Sequence, residues 1–155
     1  MKQRIIRTLL CIVVTMTSLN ASAQVKAFEK YADMKNVSYV YISKYMLGIA
    51  SKAVTPSVPG IDMKSLVSKL TGLQIISSED KSARSKLRSD VREILVRDKY
   101  EVLMQMKDDD SKVDIYYCVN KQQSAVVMMT DEEDSSSVMV FSGSFTLDDV
   151  MKLAK

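Results

Sequence analysis

The spacing of apolar residues changes near residue 100, and this change constrains the fold more than any other feature of the chain. Over residues 79–98, apolar side chains recur every three or four positions and charged residues fill most of the others. This spacing predicts one amphipathic helix. Its expected buried residues are Ala83, Leu87, Val91, Ile94 and Leu95. After residue 100 the period shortens to two, which predicts a four-strand meander. The predicted strands are residues 100–107, 113–120, 124–130 and 137–142.

The first half of the chain mixes shorter helical and strand patterns. Helices are predicted over residues 25–35 and 44–53, with a strand over residues 37–43 between them. The apolar residues spaced for the buried sides of these helices are Phe28, Tyr31, Ala32, Met46, Leu47 and Ala50. A further helix is predicted from Asp62 to a left-handed cap at Gly72, and a short strand over residues 73–77 follows it.

The order of these segments indicates the fold class. Mixed helices and strands come first, a meander follows, and Thr146 and Asp149 have the capping-box spacing of a short closing helix. The strand-rich half lacks the crossovers that a parallel sheet requires. We therefore predict an α+β fold: an antiparallel sheet with a C-terminal β-meander and helices packed mainly on one face.

The N-terminal residues predict export from a bacterial cytoplasm. Positively charged residues open the sequence, and a largely apolar stretch over residues 5–19 follows them. Ala21 and Ala23 then supply the small side chains that a signal peptidase requires, which predicts a signal peptide over residues 1–23 and cleavage before Gln24. The alternatives are an uncleaved membrane anchor or a buried first helix. The apolar stretch is shorter than the ~20 residues of a typical membrane span, which disfavours the anchor.

Cleavage would leave residues 24–155 as a single domain in the periplasm or outside the cell, with no stable membrane anchor. The chain has 22 basic and 19 acidic residues, and the basic surplus lies in the predicted signal peptide. The remaining domain is therefore neutral, which argues against a nucleic-acid partner. Its single cysteine, Cys118, is expected to pack as a small apolar residue because no positive charge adjoins it in the sequence.

Three short segments occur in a recognisable order along the chain: residues 42–47 (ISKYML), 100–104 (YEVLM) and 143–148 (GSFTLD). Their order resembles the domain of unknown function 4252 family, small exported proteins of Bacteroidetes and related bacteria, and the resemblance extends over nearly all of residues 25–155. The resemblance implies an envelope location and supplies no catalytic residues. Some members are lipoproteins; this chain departs from them because it has no cysteine at the predicted cleavage point.

Residue content disfavours several chemistries. The chain has no histidine, so the usual serine and cysteine nucleophile systems are missing. With one cysteine after residue 23, a zinc site would have to rely on carboxylates, which are a poor match to the usual nitrogen and sulfur ligands. Its four glycines are scattered, so no phosphate-binding loop is expected. The acidic residues 108–110 and 131–134 lack the spacing of a calcium loop, and we predict solvated hairpin tips there, with weak cation binding as the alternative. No cofactor is expected.

Tyrosine and methionine side chains supply the candidate interaction surface. Tyr39 and Tyr41 would share one face of the first strand, where they could contact a partner, although tyrosines also commonly lie at the edge of a core. The strand methionines are expected to fill gaps in the core, with Cu(I) binding as the alternative. These methionines are Met104, Met106, Met128, Met129 and Met139.

The function expected from these observations is that of a non-enzymatic exported envelope protein that binds a protein or peptide partner. This hypothesis rests mainly on the absence of the common catalytic residue arrangements from the sequence. Binding of a small ligand or metal ion is the alternative. A hydrolase that uses carboxylates, serine and lysine without histidine is the third hypothesis.

Overall fold

The structure is a computed structural model that describes residues 23–53, 67–119 and 123–151. The strands are β1 (Ser38–Ser43), β2 (Leu70–Ser78), β3 (Glu101–Lys107), β4 (Ser111–Val119), β5 (Ser124–Glu132) and β6 (Ser136–Gly143). The α-helices are α1 (Ala23–Glu29), α2 (Lys44–Ala53), α3 (Lys81–Arg97) and α4 (Leu147–Met151), and a 3-10 helix (Lys30–Asp33) follows α1. Residues 67–69 are also helical and lead directly into β2. The predicted signal peptide lies outside the described residues, apart from Ala23.

The described strands form one antiparallel sheet in the order β1-β2-β6-β5-β4-β3. Strands β3 to β6 pair with one another in chain order, so the predicted C-terminal meander is confirmed. Strand β6 also pairs with β2, and β1 pairs with the other side of β2. This arrangement confirms the α+β class and makes β1 and β3 the edge strands of the sheet.

Helix α3 has local signals at both ends. The Asp80 carboxylate accepts a hydrogen bond from the Ala83 N–H at 2.8 Å, which satisfies one of the unpaired donors of the first turn. Beyond the last turn, Lys99 adopts a left-handed backbone conformation with φ 57°, and the chain reverses into β3. The apolar residues predicted for the inner side of this helix are all buried, so the prediction is confirmed.

One face of the sheet, here called the covered face, packs against α1, the 3-10 helix and α3. Phe28 and Tyr31 are buried beneath the N-terminal helices, and Leu87 and Val91 are buried beneath α3. They form one cluster with strand residues Ile76, Val127, Met129, Val138 and Val140. Burial of one such side chain is worth about 1.5–3 kcal/mol, so this cluster is the main source of stability.

A smaller cluster closes one end of the opposite face. Its buried members are Leu47, Leu70, Tyr117 and Phe145. Lys69 Nζ lies 2.7 Å from Asp149 Oδ1, which ties the residues before β2 to α4. The Asp149 carboxylate also accepts hydrogen bonds from the N–H and the hydroxyl of Thr146, at 2.8 and 3.0 Å. The predicted pairing of these two residues at the start of the closing helix is therefore confirmed.

Three details of the first half differ from the prediction. Ala32 is exposed because it lies in a 3-10 helix, whose tighter turn rotates it away from the side of Tyr31. Met46 is 56% exposed because α2 turns Leu47 toward the sheet instead. The helix predicted to end at Gly72 ends at residue 69 instead, and Gly72 lies within β2, where an added Cβ would come 3.0 Å from the Tyr41 ring. The predicted start of that helix, at Asp62, lies outside the described residues.

Candidate functional site

Two rows of uncharged side chains cross all the described strands on the second face of the sheet: one row is apolar throughout, and the other carries mostly hydroxyl groups. Strand register places opposite residues on the same face, so each row follows from the pairings. The first row consists of Val40, Ile75, Met139, Met128, Ile115 and Met104. The second row consists of Ser38, Ser77, Ser137, Thr130, Val113 and Met106. These two rows are here called the open face, and neither contains a charged residue.

No described helix covers the open face. Helices α1 and α3 lie on the other side of the sheet, and the smaller cluster reaches only the adjacent row, which includes Leu73 and Phe141. No residue of the open face belongs to either described core cluster. Val40 and Met104, at the two ends of the first row, are 46% and 45% exposed. The residues between Val40 and Met104 in this row remain half-buried, because side chains of the neighbouring strands shield them on both sides.

Strand β3 is the most accessible part of the sheet. All its residues are exposed, although four of them are apolar. These apolar residues are Val102, Leu103, Met104 and Met106. In the described chain only β4 pairs with β3, so the outer backbone edge of β3 has no neighbouring strand. The expectation that Met104 and Met106 fill gaps in the core is wrong, because both lie on the open face, which no described helix covers.

Polar side chains hold β3 in place on its covered side. Asp114, in the neighbouring strand, is buried and accepts hydrogen bonds from Gln105 Nε2 at 3.1 Å and from Lys112 Nζ at 2.6 Å. A buried carboxylate requires such partners to offset its lost hydration. Apolar burial therefore contributes little to the position of β3, and its apolar side chains remain available to solvent.

The predicted interaction residues Tyr39 and Tyr41 share one face of β1, as expected, and that face is the covered one. Tyr39 packs against the main cluster, and burial, followed by the nearby Glu29 carboxylate, raises its pKa. Tyr41 is 53% exposed, with its ring beside Gly72. The structure thus separates the pair into one core-edge residue and one accessible residue, and it places neither on the open face.

A cavity of about 570 Å³ lies at the end of the sheet beside α4. Charged and apolar side chains line it together, among them Lys99, Glu101, Leu103 and Phe145. Tyr117 also lines this cavity, and its buried hydroxyl has no hydrogen-bond partner among the described residues. Cys118 is buried, and its thiol lies 3.4 Å from the Asp98 carbonyl oxygen, as expected for a packed rather than an exposed cysteine.

The acidic runs lie where two hairpins turn. Residues 108–110 connect β3 to β4, and residues 131–134 span the end of β5 and the turn into β6. Within the described ranges, no three His, Cys, Asp or Glu side chains are close enough together to hold a metal ion.

The open face was missed at the level of sequence, although the sequence contains a signal for it. Residues 125–129 and 138–141 are continuous apolar runs rather than alternating ones. Such runs are typical of strands that are buried on both faces. Helical packing accounts for one face of β5 and β6, and the same runs supply the apolar side chains in the middle of the open face.

Comparison with known proteins identifies a family. A family model described as "Domain of unknown function (DUF4252)" matches residues 31–153. No curated protein matches the sequence. The solved structure of PA94, a protein of unknown function from Pseudomonas aeruginosa, resembles this chain with a TM-score of 0.36 at 7% identity, over 77% of this chain and 76% of that one. A likeness at this score carries no structural or functional inference.

Among the helices of the described ranges, none is both long enough and apolar enough to cross a membrane.

Proposed function

The chain belongs to the domain of unknown function 4252 family, and we propose that it is an exported, non-enzymatic domain that binds an extended segment of a partner protein along β3. The observation that carries this proposal is the combination of a free backbone edge and apolar side chains in one strand. Every residue of β3 is exposed, yet Val102 and Leu103 are apolar and lie at an edge with no described neighbour.

Strand addition is the binding mode that suits this edge. An added strand would form main-chain hydrogen bonds with β3, and its alternate side chains would lie on the two sides of the sheet. On one side they would contact Met104 and Met106, and on the other they would contact Val102. We therefore expect the partner to present a short extended segment with apolar residues at alternate positions.

The opposite edge of the sheet is less suitable. Strand β1 has three half-buried residues, Tyr39, Ile42 and Ser43, and it continues directly into α2. A helix that begins at the residue after a strand, as α2 does at Lys44, restricts how far a second strand can extend beside it. Strand β3 instead ends in a polar hairpin turn and has no helix directly after it.

The proposal also includes export, which determines the compartment of the partner. The N-terminal pattern with Ala21 and Ala23 before Gln24 predicts delivery to the periplasm or beyond, so the partner would be an envelope protein or a peptide in that compartment. The neutral charge of residues 24–155 is consistent with recognition that depends on main-chain and apolar contacts rather than on electrostatic steering.

Photo-crosslinking in intact cells tests the proposed edge. A photoreactive amino acid would replace Val102, which is 53% exposed in β3, and in a matched strain it would replace Val96, which is 80% exposed on α3. After irradiation, crosslinked products would be purified and identified by mass spectrometry. We expect one envelope protein to be captured from position 102 and not from position 96, with the crosslinked peptide in an extended segment of that protein.

A pair of charge variants supplies the second arm. Lysine on an edge strand opposes strand addition, so Val102→Lys should reduce partner capture at least about tenfold, whereas Val96→Lys should not change it. Equal capture by both variants, or no capture from position 102 by a correctly exported protein, would contradict the proposal. If the protein captured from position 102 is this same chain, the partner at β3 is a second copy rather than a different envelope protein.

Small-ligand binding is the second candidate, and the cavity beside α4 favours it. Its volume of about 570 Å³ is in the range of small-molecule sites, and the Tyr117 hydroxyl, without a partner in the described chain, could bond to a polar ligand group. A metabolite and metal panel would be tested by thermal shift on the protein and on Tyr117→Phe. A shift that the phenylalanine variant loses supports this candidate, and no shift from any compound opposes it.

A further inference from the structure

We propose that the open face is the contact surface between two copies of this chain, packed sheet against sheet about a two-fold axis. The open face shares Met104 and Met106 with the β3 edge, but the proposal does not depend on the partner proposed for that edge. Its starting observation is the uninterrupted apolar row from Val40 in β1 to Met104 in β3, which no described helix covers.

The absence of charge from the open face favours a second copy as the occupant. A two-fold interface places residues near the axis against their own counterparts, so a charged residue there would meet a like charge. Neither row of the open face contains Asp, Glu, Lys or Arg. The face also lacks the Trp, Tyr and Arg side chains that anchor most interfaces between different proteins. The first row is apolar throughout, and homodimer interfaces are more apolar than interfaces between separable proteins.

The area of the open face sets the expected strength of the dimer. Six strands about 4.8 Å apart make the face about 29 Å wide, and two rows about 7 Å apart make it about 14 Å long, which gives about 400 Å² of flat area per copy. Side-chain relief enlarges the accessible area, but the interface stays below the ~800 Å² per partner of a standard stable complex. We therefore expect a dissociation constant in the micromolar range rather than a permanent dimer.

We place the two-fold axis at the middle of the first row, which the register identifies. Met128 and Met139 pair with each other in β5 and β6, and they occupy the middle of the first row. Two sheets of this kind pack about 10 Å apart, with strands within about 30° of each other. In such an arrangement the two methionines of one copy lie against the same two residues of the other, so a substitution there acts on both sides of the interface.

Sedimentation velocity and methionine oxidation test this geometry without any variant. Protein purified after export would be measured from about 1 to 500 µM, a range chosen around the expected dissociation constant. Peroxide oxidation would be followed at four methionines by mass spectrometry. At high concentration Met128 and Met139 should be protected, and dilution should expose them. Met46, 56% exposed on α2, and Met129, buried on the covered face, provide the reactive and the protected controls.

Charge variants test the position of the axis. Met128→Glu places two carboxylates together and should raise the dimer dissociation constant at least about 100-fold, while Val96→Glu, on the outer side of α3, should leave it unchanged. Mixing Met128→Glu with Met128→Lys should restore dimers, since opposite charges then face each other. This rescue is a positive result that a merely misfolded variant cannot produce.

Every other outcome overturns the proposal. A monomer over the whole concentration range with reactive Met128 and Met139 shows that the face stays uncovered, and a monomer with both residues protected shows that another part of the chain covers it. Dimers that Met128→Glu leaves intact, with its fold verified by circular dichroism, place the contact elsewhere. The β3 crosslinking result is independent of all these outcomes, so failure of one proposal does not disguise failure of the other.

Discussion

Two Gly→Ala substitutions, at Gly143 and Gly48, should change stability in opposite directions. Gly143 ends β6 between Leu70 of β2 and Ser124 of β5. A Cβ added to Gly143 would overlap the Lys69 carbonyl oxygen and would lie 2.9 Å from the Leu70 Cα. Gly48 lies in α2, where the described residues place no heavy atom within 4 Å of an added Cβ. The same chemical change therefore meets a packed backbone at one position and open space at the other.

The magnitudes follow from these surroundings. At Gly143 the backbone must move, which costs about 1–3 kcal/mol by overpacking. The movement also weakens the 2.9 Å hydrogen bond from the Ser144 N–H to the Lys69 oxygen, a further loss of about 0.5–1.5 kcal/mol. Alanine also reduces the conformational freedom of the unfolded chain, which offsets about 0.4–1 kcal/mol of this loss of stability. We expect Gly143→Ala to lower the free energy of unfolding by about 2–3 kcal/mol and Gly48→Ala to raise it by about 0.5–1 kcal/mol.

Urea unfolding followed by far-ultraviolet circular dichroism measures both changes. The chain has no tryptophan, so its helices and strands provide a stronger signal than intrinsic fluorescence. Both variants should keep the slope of the wild-type transition and differ only in midpoint. A Gly143→Ala midpoint within error of the wild type would refute the close packing of β6 against the residues before β2. Destabilisation by Gly48→Ala would refute the exposed helical environment.

Processing, core packing and acid sensitivity provide three further tests. The exported protein should begin at Gln24 by N-terminal sequencing, and Ala23→Phe should leave a longer, unprocessed form. Leu87→Ala should cost about 2–5 kcal/mol in urea unfolding, whereas Val96→Ala should change stability by less than about 0.5 kcal/mol. Hydrogen bonds from a lysine and a threonine lower the pKa of Asp149 to about 2 from the ordinary 3.8. Its ionised form therefore stabilises the fold above about pH 4, and this contribution disappears as the pH falls toward about 2. The thermal midpoint of Asp149→Asn should change less over this pH range than that of the wild type.

Helix α3 was predictable in detail because all its determinants are local. Its buried residues repeat at helical spacing, charged residues occupy the remaining positions, and Asp80 stands where an N-cap is required. No distant contact is needed to decide which side faces the sheet. The meander was predictable for the same reason, since a period of two and polar turns are both readable within short windows.

The errors in the first half of the chain arise where distant contacts decide. Gly72 fits a helix cap as well as a strand, and the Tyr41 ring that lies against it comes from another strand. Leu47 and Met46 are adjacent apolar residues of one helix, and only the position of the sheet determines that Leu47 is the buried one. A single sequence contains no information about that position.

The methionines of β3 show a more general limit. Alternation fixes which side chains share a face, and the register confirms that Met104 and Met106 do. Alternation does not determine whether anything packs on that face, because the packing elements lie elsewhere in the chain or in other molecules. Burial was the natural expectation for Met128 and Met129 alike, yet Met129 lies beneath the helices and Met128 does not.

The two proposed surfaces share Met104 and Met106 and otherwise use different parts of the sheet, so they can operate together. A second copy on the open face would contact the side chains that project from the sheet, including Met128 and Met139 in the middle strands. A partner strand at β3 would bond to backbone groups that lie in the plane of the sheet, at its edge. Sheet packing leaves such edges free unless a further strand, helix or loop covers them. A dimer of this protein would therefore present two β3 edges, and pairing the sheets would remove apolar surface from solvent without closing either edge.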